Sequence, residues 1–189
     1  TMKTWKNEIK IYFDKSVNRQ TIKKFVEFTK YLDQEVDSLK ITLVTDKEKS
    51  NYFIYGMKNT SDVNLDPRIS EREGYYLEWN NKQNIYSCSL KLNIQNPLSK
   101  EQIITSLKMN FIRSLGYFYL QRNYLDCTSY FSSCSSDKKE FGKNDLEILK
   151  YHYSYGICKG TDLIVFEKNH KDAKEILKKG NSKIEFIHN

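Results

Sequence analysis

Residues 100–120, KEQIITSLKMNFIRSLGYFYL, decide how the rest of the chain is read. Ile104, Leu107, Phe111, Leu115 and Phe118 recur at steps of three and four, which winds one apolar stripe along a helix. At about 100° per residue, Met109 and Arg113 fall together on the opposite face, with Gly116 and Leu120 near them. Ser99, followed three residues on by Gln102, is a capping-box signature, so a long helix is predicted over Lys100–Leu120.

Upstream, Trp5–Phe13 reads as a strand, because Ile9, Ile11 and Phe13 alternate with polar neighbours. An amphipathic helix is predicted over Asn18–Ser38, where Ile22, Phe25, Val26, Thr29, Leu32 and Val36 keep helical spacing. Strands follow at Lys40–Thr45 and Asn51–Gly56. Met57–Glu73 is polar and carries Asp66-Pro67, so it reads as a loop. Gly74–Trp79 and Asn84–Asn93 are the next strands, the second burying Tyr86, Cys88, Leu90 and Leu92 on one face. After the helix at 100–120 an irregular section, Gln121–Phe141, precedes a third helix near Gly142–Tyr153, with Asp145 in its first turn. The tail holds an apolar run at Asp162–Phe166, a charged helix near His170–Lys179 and a last strand at Ile184–Ile187. This order predicts an α+β fold: a small mixed or antiparallel sheet with two long helices and a third C-terminal helix. The domain is expected over residues 1–160, with 161–189 as an extension packed on it.

The chain has 189 residues, a net charge of +7, and 14 Tyr, 10 Phe and 2 Trp, an aromatic content that favours a packed core over disorder. No apolar run reaches the roughly 20 residues of a membrane span. No charged-then-apolar leader opens the sequence, so a signal segment is expected to be absent or already trimmed. Lysines and glutamates are interspersed, as in Lys138-Lys139-Glu140, which describes a solvated surface and sets nucleic-acid binding behind other readings. The four cysteines form no CxxC pair, so a structural zinc site is not indicated. Three connectivities are open. Cys127 and Cys134 enclose a short Ser-rich loop and are the favoured disulfide, with Cys88–Cys158 as the consequence in an oxidising compartment; the alternative is free thiols in a cytoplasmic protein.

Met109-Asn110-Phe111-Ile112-Arg113-Ser114-Leu115-Gly116-Tyr117-Phe118-Tyr119, followed by Ser129-Tyr130-Phe131 and the helix from Gly142 to Tyr153, resembles the zinc-protease scaffold of the metzincins and matrixin-like domains. It is similar more closely to a bacterial group of predicted secreted domains related to that scaffold. The resemblance covers Trp5 to Gly160 in order of elements. In the active families a helix carries HExxHxxGxxH, with a methionine-bearing turn beneath the metal. Gly116 stands where the motif has its glycine, and Phe131 lies in the region of the turn methionine. The resemblance places Met109, Arg113 and Tyr119 at the imidazole positions and Asn110 at the general-base position. Met is a poor ligand for zinc, Arg carries a permanent positive charge, and Asn takes no proton from water. The scaffold would thus be a degenerate member without catalytic residues, metal or cofactor.

Other constellations are thin. His152, His170 and His188 have no ligand spacing among them, and a Cys158–His152 nucleophile pair conflicts with a disulfide at Cys158. Glu71, Glu73 and Glu78 offer carboxylates for glycoside hydrolysis but nothing in the sequence sets them in a cleft. Tyr75, Tyr76, Trp79, Tyr117, Tyr119, Tyr151, Tyr153 and Tyr155 serve either as core packing, the favoured reading, or as a stacking surface. The expected function is a non-catalytic exported domain that binds a protein or glycan along a groove edged by Met109, Asn110, Arg113 and Tyr117. A hydrolase of unrecognised type and an anion- or nucleic-acid-binding module are the alternatives.

Overall fold

The computed structural model describes residues 1–58, 66–95, 98–123 and 125–153, together with 164, 165, 167, 168, 171 and 172. The predicted first strand is two strands, β1 (Thr4–Trp5) and β2 (Ile9–Phe13). Helix α1 (Arg19–Glu35) follows, then β3 (Ile41–Leu43), β4 (Tyr52–Met57), β5 (Gly74–Trp79), β6 (Asn84–Asn93), α2 (Lys100–Ser114) and α3 (Lys143–His152). Sequon-like Asn59-Thr60-Ser61, Cys158 and the predicted strand at 184–187 lie outside the described residues. Of the predicted tail elements, Ile164, Val165, Lys171 and Asp172 are helical and exposed.

The sheet is mixed but not predominantly antiparallel. β2 pairs in parallel with β3 and β4, β4 with β6, and β1 with the first residues of β6. Only the edge strand β5 runs antiparallel, against β6. The reason is the connections. α1 is a crossover long enough to return β3 parallel to β2, whereas β5 and β6 are joined by a tight hairpin at Asn80–Gln83. The Asn80 carboxamide oxygen accepts from the amides of Lys82 and Asn84 there, and Gln83 adopts φ 59°. β4 is covered on both faces, as an interior parallel strand requires, whereas Lys10 of β2 and Tyr86 of β6 stay exposed, so Tyr86 does not share the buried face expected of it. On β4, Tyr52 and Ile54 face the main core, while Tyr55 and Met57 are buried on the other side.

That main core joins the sheet to all three helices: Phe25, Leu32, Tyr52, Leu90, Leu107 and Phe111 are fully buried in it. Phe111 of α2 meets Phe25 of α1 edge-on at 5.0 Å and Tyr52 at 5.3 Å. α1 is capped by Asn18, whose side chain accepts from the Thr21 amide at 2.8 Å. The capping box of α2 is complete: Gln102 N donates to Ser99 Oγ and Ser99 N to Gln102 Oε1.

α2 ends at Ser114, not at Leu120 as the periodicity predicts. Its last carbonyls are taken by side chains from three other elements. Trp5 Nε1 donates to Ser114 O at 3.0 Å, Tyr75 Oη to Arg113 O at 3.3 Å, and Tyr153 Oη to Leu115 O at 2.6 Å. A helix whose terminal acceptors are filled in this way stops without leaving them orphaned. Gly116 then forms a bridge with Thr4, and the chain leaves the helix axis.

Candidate functional site

The helix end places the residues singled out by the sequence in three different environments. Met109 is half-buried and packs against the core. Asn110 is buried, and its amide donates to Ser106 O at 3.0 Å and to Ser106 Oγ at 3.3 Å. Tyr117 and Tyr119, beyond Gly116, are exposed. Met109 and Asn110 therefore do not edge an open groove. An apolar side chain near the core seam follows the buried face, and a short amide on a helix bonds back to its own preceding turn.

Arg113 is the centre of the arrangement. Its guanidinium reaches from α2 to the turn inside the loop that Cys127 and Cys134 close. Nε donates to Tyr130 O at 2.7 Å and Nη2 to Ser132 O at 3.3 Å. Lys139 Nζ comes to the same turn from the other side, donating to Ser129 O and Ser132 O, each at 3.0 Å. Burial pulls both cations below their ordinary values, and the Arg113 guanidinium adds to this at Lys139. The partly compensating charges are Asp145 beside both and Glu73 beside Arg113. A dication placed here would meet two fixed positive charges, and the lone pairs facing it are already bonded.

The turn itself is built by Asp145. This buried carboxylate accepts from Ser129 Oγ at 2.5 Å, from Tyr130 N at 3.3 Å and from Gly142 N at 2.9 Å, tying the turn to the start of α3. The Cys127–Cys134 disulfide, with Cα atoms 5.1 Å apart, closes the same segment as predicted. The second predicted bridge is not formed at its described end. Cys88 is a free thiol on β6, buried among Tyr52 and Ser114, and burial pushes it up to about 12.

His152 is buried beneath the same helix end, its Nε2 donating to Lys3 O at 3.0 Å and its ring 4.6 Å from Phe118. Burial lowers it from 6.5 to about 4, so it is neutral near neutral pH. Gly116 is required here, since a Cβ would stand 2.7 Å from His152 Nε2 and 2.8 Å from the Phe118 ring. The glycine of the motif is thus explained by packing against an imidazole, and the imidazole is bonded to backbone.

The three carboxylates are dispersed. Glu73 accepts from Ser106 Oγ at 2.7 Å beside α2, Glu78 pairs with Arg68 at 2.8 Å, and Glu71 is exposed. No group of three His, Cys, Asp or Glu side chains converges among the described residues. The predicted aromatics divide: Tyr153 is buried and Tyr75 half-buried, Tyr76, Trp79, Tyr117, Tyr119 and Tyr151 are exposed, and Tyr155 lies outside the described residues. Trp79 and Tyr117 lie 5.9 Å apart, with Lys3 Nζ 4.6 and 4.5 Å from their centroids.

The chain matches no family model and no curated protein sequence. No helix among the described residues is long and apolar enough to cross a membrane. Sequence reading passed over Lys139 and the Glu73–Ser106 link. Lys139 lay in a run of interspersed charges with nothing to distinguish it, and Ser106 is one of many serines. Asp145 could be found, because an acidic residue three positions after a glycine cap is a helix-start signal.

Proposed function

We propose that this chain is a non-catalytic binding domain on a degenerate metzincin-like scaffold, exported from a bacterial cell, whose partner is a protein or a glycan. The observation that carries this reading is the Arg113 guanidinium bonded to the Tyr130 and Ser132 carbonyls. On the resemblance, that side chain occupies the place of a metal-binding imidazole. Here it supplies its own positive charge and spends it on holding the turn. The order of elements supports the scaffold: a helix crossing over a mixed sheet, one antiparallel edge strand beside α2, a glycine just past the end of α2, and a turn anchored by the last helix. The Cys127–Cys134 bridge supports the exported compartment.

Of the groove residues, Tyr117 is the one left facing solvent, so the contact surface is centred on Tyr117, with Tyr119 and Trp79 beside it. Large exposed rings bury much area at little loss of rotamer freedom, which is what a protein or glycan contact uses. The test is elemental analysis of protein incubated with excess zinc and then desalted. Far less than one zinc per chain is expected, and about one per chain, as in a catalytic or structural site, overturns the reading.

A further inference from the structure

A cavity of about 550 Å³ opens between α1, α2 and the segment leading into α3, on a different part of the surface from Tyr117. Its apolar walls are Phe28, Tyr31, Tyr130, Phe141 and Leu146. Phe141 packs edge-on against Phe28 at 5.3 Å and tilts against Tyr130 at 5.8 Å, so three of the rings form one continuous wall. Its charged lining is Lys108, Lys139 and Lys143 against a single acid, Glu140.

We propose that this cavity binds a small, flat organic carboxylate, with its ring against the aromatic wall and its charge between Lys108 and Lys143. Size comes first: a few hundred cubic ångströms lined by aromatic side chains with a few polar groups is the usual form of a small-molecule site. The charge surplus then sets the sign of the ligand. Lys139 already donates to two carbonyls. Among the described residues Lys108 has no carboxylate within ion-pair distance, and its ammonium rests 4.9 Å over the Phe28 ring. Lys24 and Glu27 also act on it, with opposite signs. Lys143 has no ion pair or hydrogen bond from its side chain among the described residues and is the first residue of α3, where the helix dipole adds to the positive potential. Burial lowers both Lys108 and Lys139, a cost that a bound anion relieves. The wall formed by Phe28, Tyr130 and Phe141 offers ring faces that a bare phosphate cannot use, which favours a singly charged carboxylate carried on a flat ring. The concave shape favours a small molecule over a nucleic-acid strand. Nothing in this proposal depends on the zinc-protease resemblance.

The experiment is a titration of the full chain with 2-naphthoate, followed by calorimetry and amide chemical shifts, alongside the neutral 2-naphthamide and a short single-stranded oligonucleotide. Saturable binding of 2-naphthoate is expected, with shifts at residues 28, 31, 105, 108 and 141–146. Loss of the charge should weaken binding about tenfold or more, both for the amide and for the Lys108→Gln, Lys143→Gln protein. Lys143→Gln alone, at an exposed site, should weaken binding without disturbing the fold. Equal affinity for the amide, shifts clustered elsewhere, no saturation, or tighter binding of the oligonucleotide would each overturn the assignment.

Discussion

Replacing Arg113 by methionine keeps an unbranched stem of similar length on α2 and deletes the guanidinium. Two bonds are lost, and they are unequal. The Tyr130 carbonyl, on a residue 2% exposed, receives Nε at 2.7 Å and has no other donor among the described residues. The Ser132 carbonyl loses a 3.3 Å bond but keeps Lys139 at 3.0 Å. A hydrogen bond from a charged donor contributes about 1.5–3 kcal/mol, and a buried acceptor left empty costs about as much as it gained. Counting the first bond in full and the second hardly at all, the substitution should cost about 2–3 kcal/mol. In a chain of this length that is a fall in melting temperature of roughly 5–10 °C. Arg113→Lys should lose part of it, because an ammonium reaches one carbonyl and not two. Urea unfolding followed by the fluorescence of buried Trp5 measures it. A change within about 0.5 kcal/mol of the parent, the range of an ordinary surface substitution, would show that the guanidinium does not hold the turn.

His152 gives the chain an acid limit. Folded at about 4 and unfolded near 6.5, it is neutral in both states above pH 6.5; between those values only the unfolded chain takes up the proton, so stability falls as pH drops through that window. The fall approaches about 3 kcal/mol below pH 4. In His152→Gln this component of the slope of unfolding midpoint against pH should vanish, and an unchanged slope would be evidence against it. Reducing the Cys127–Cys134 bridge, a sequence separation of 7, should cost about 2.5 kcal/mol by loop entropy. Melting curves with and without a phosphine reductant check this, and coincident curves would count against the bridge as a staple.

Much of the fold was legible because its signals are local. The strand patterns located β4, β5 and β6 within a residue and the end of β2, though they ran β1 and β2 together, and the Ser99–Gln102 box placed the start of α2. The end of α2 was not legible. Its apolar stripe runs on through Phe118, while what stops it is Trp5, Tyr75 and Tyr153, donors scattered along the chain. Sheet polarity failed for a similar reason, since pattern shows which face is buried and not which way a neighbour runs. At the site, Arg113 stood out in the sequence as a cation in place of an imidazole, but its partners are backbone carbonyls, and no side chain at positions 130 or 132 announces them. The absence of any bridge at Cys88 was equally hidden, because a thiol in a strand reads the same whether it faces the core or a partner.

Residues 3–5 touch almost everything made after them. The Lys3 carbonyl receives His152, Thr4 pairs with Asn84 and bridges Gly116, and the Trp5 indole closes the end of α2. On a ribosome, β1 can pair with β6 once Asn84 and Ile85 are made, and the Trp5 indole finds its acceptor with Ser114, but the imidazole on the Lys3 carbonyl comes only with α3. A nascent chain arrested ahead of residue 152 would therefore hold this strand by fewer bonds, more open to proteases than in the finished fold.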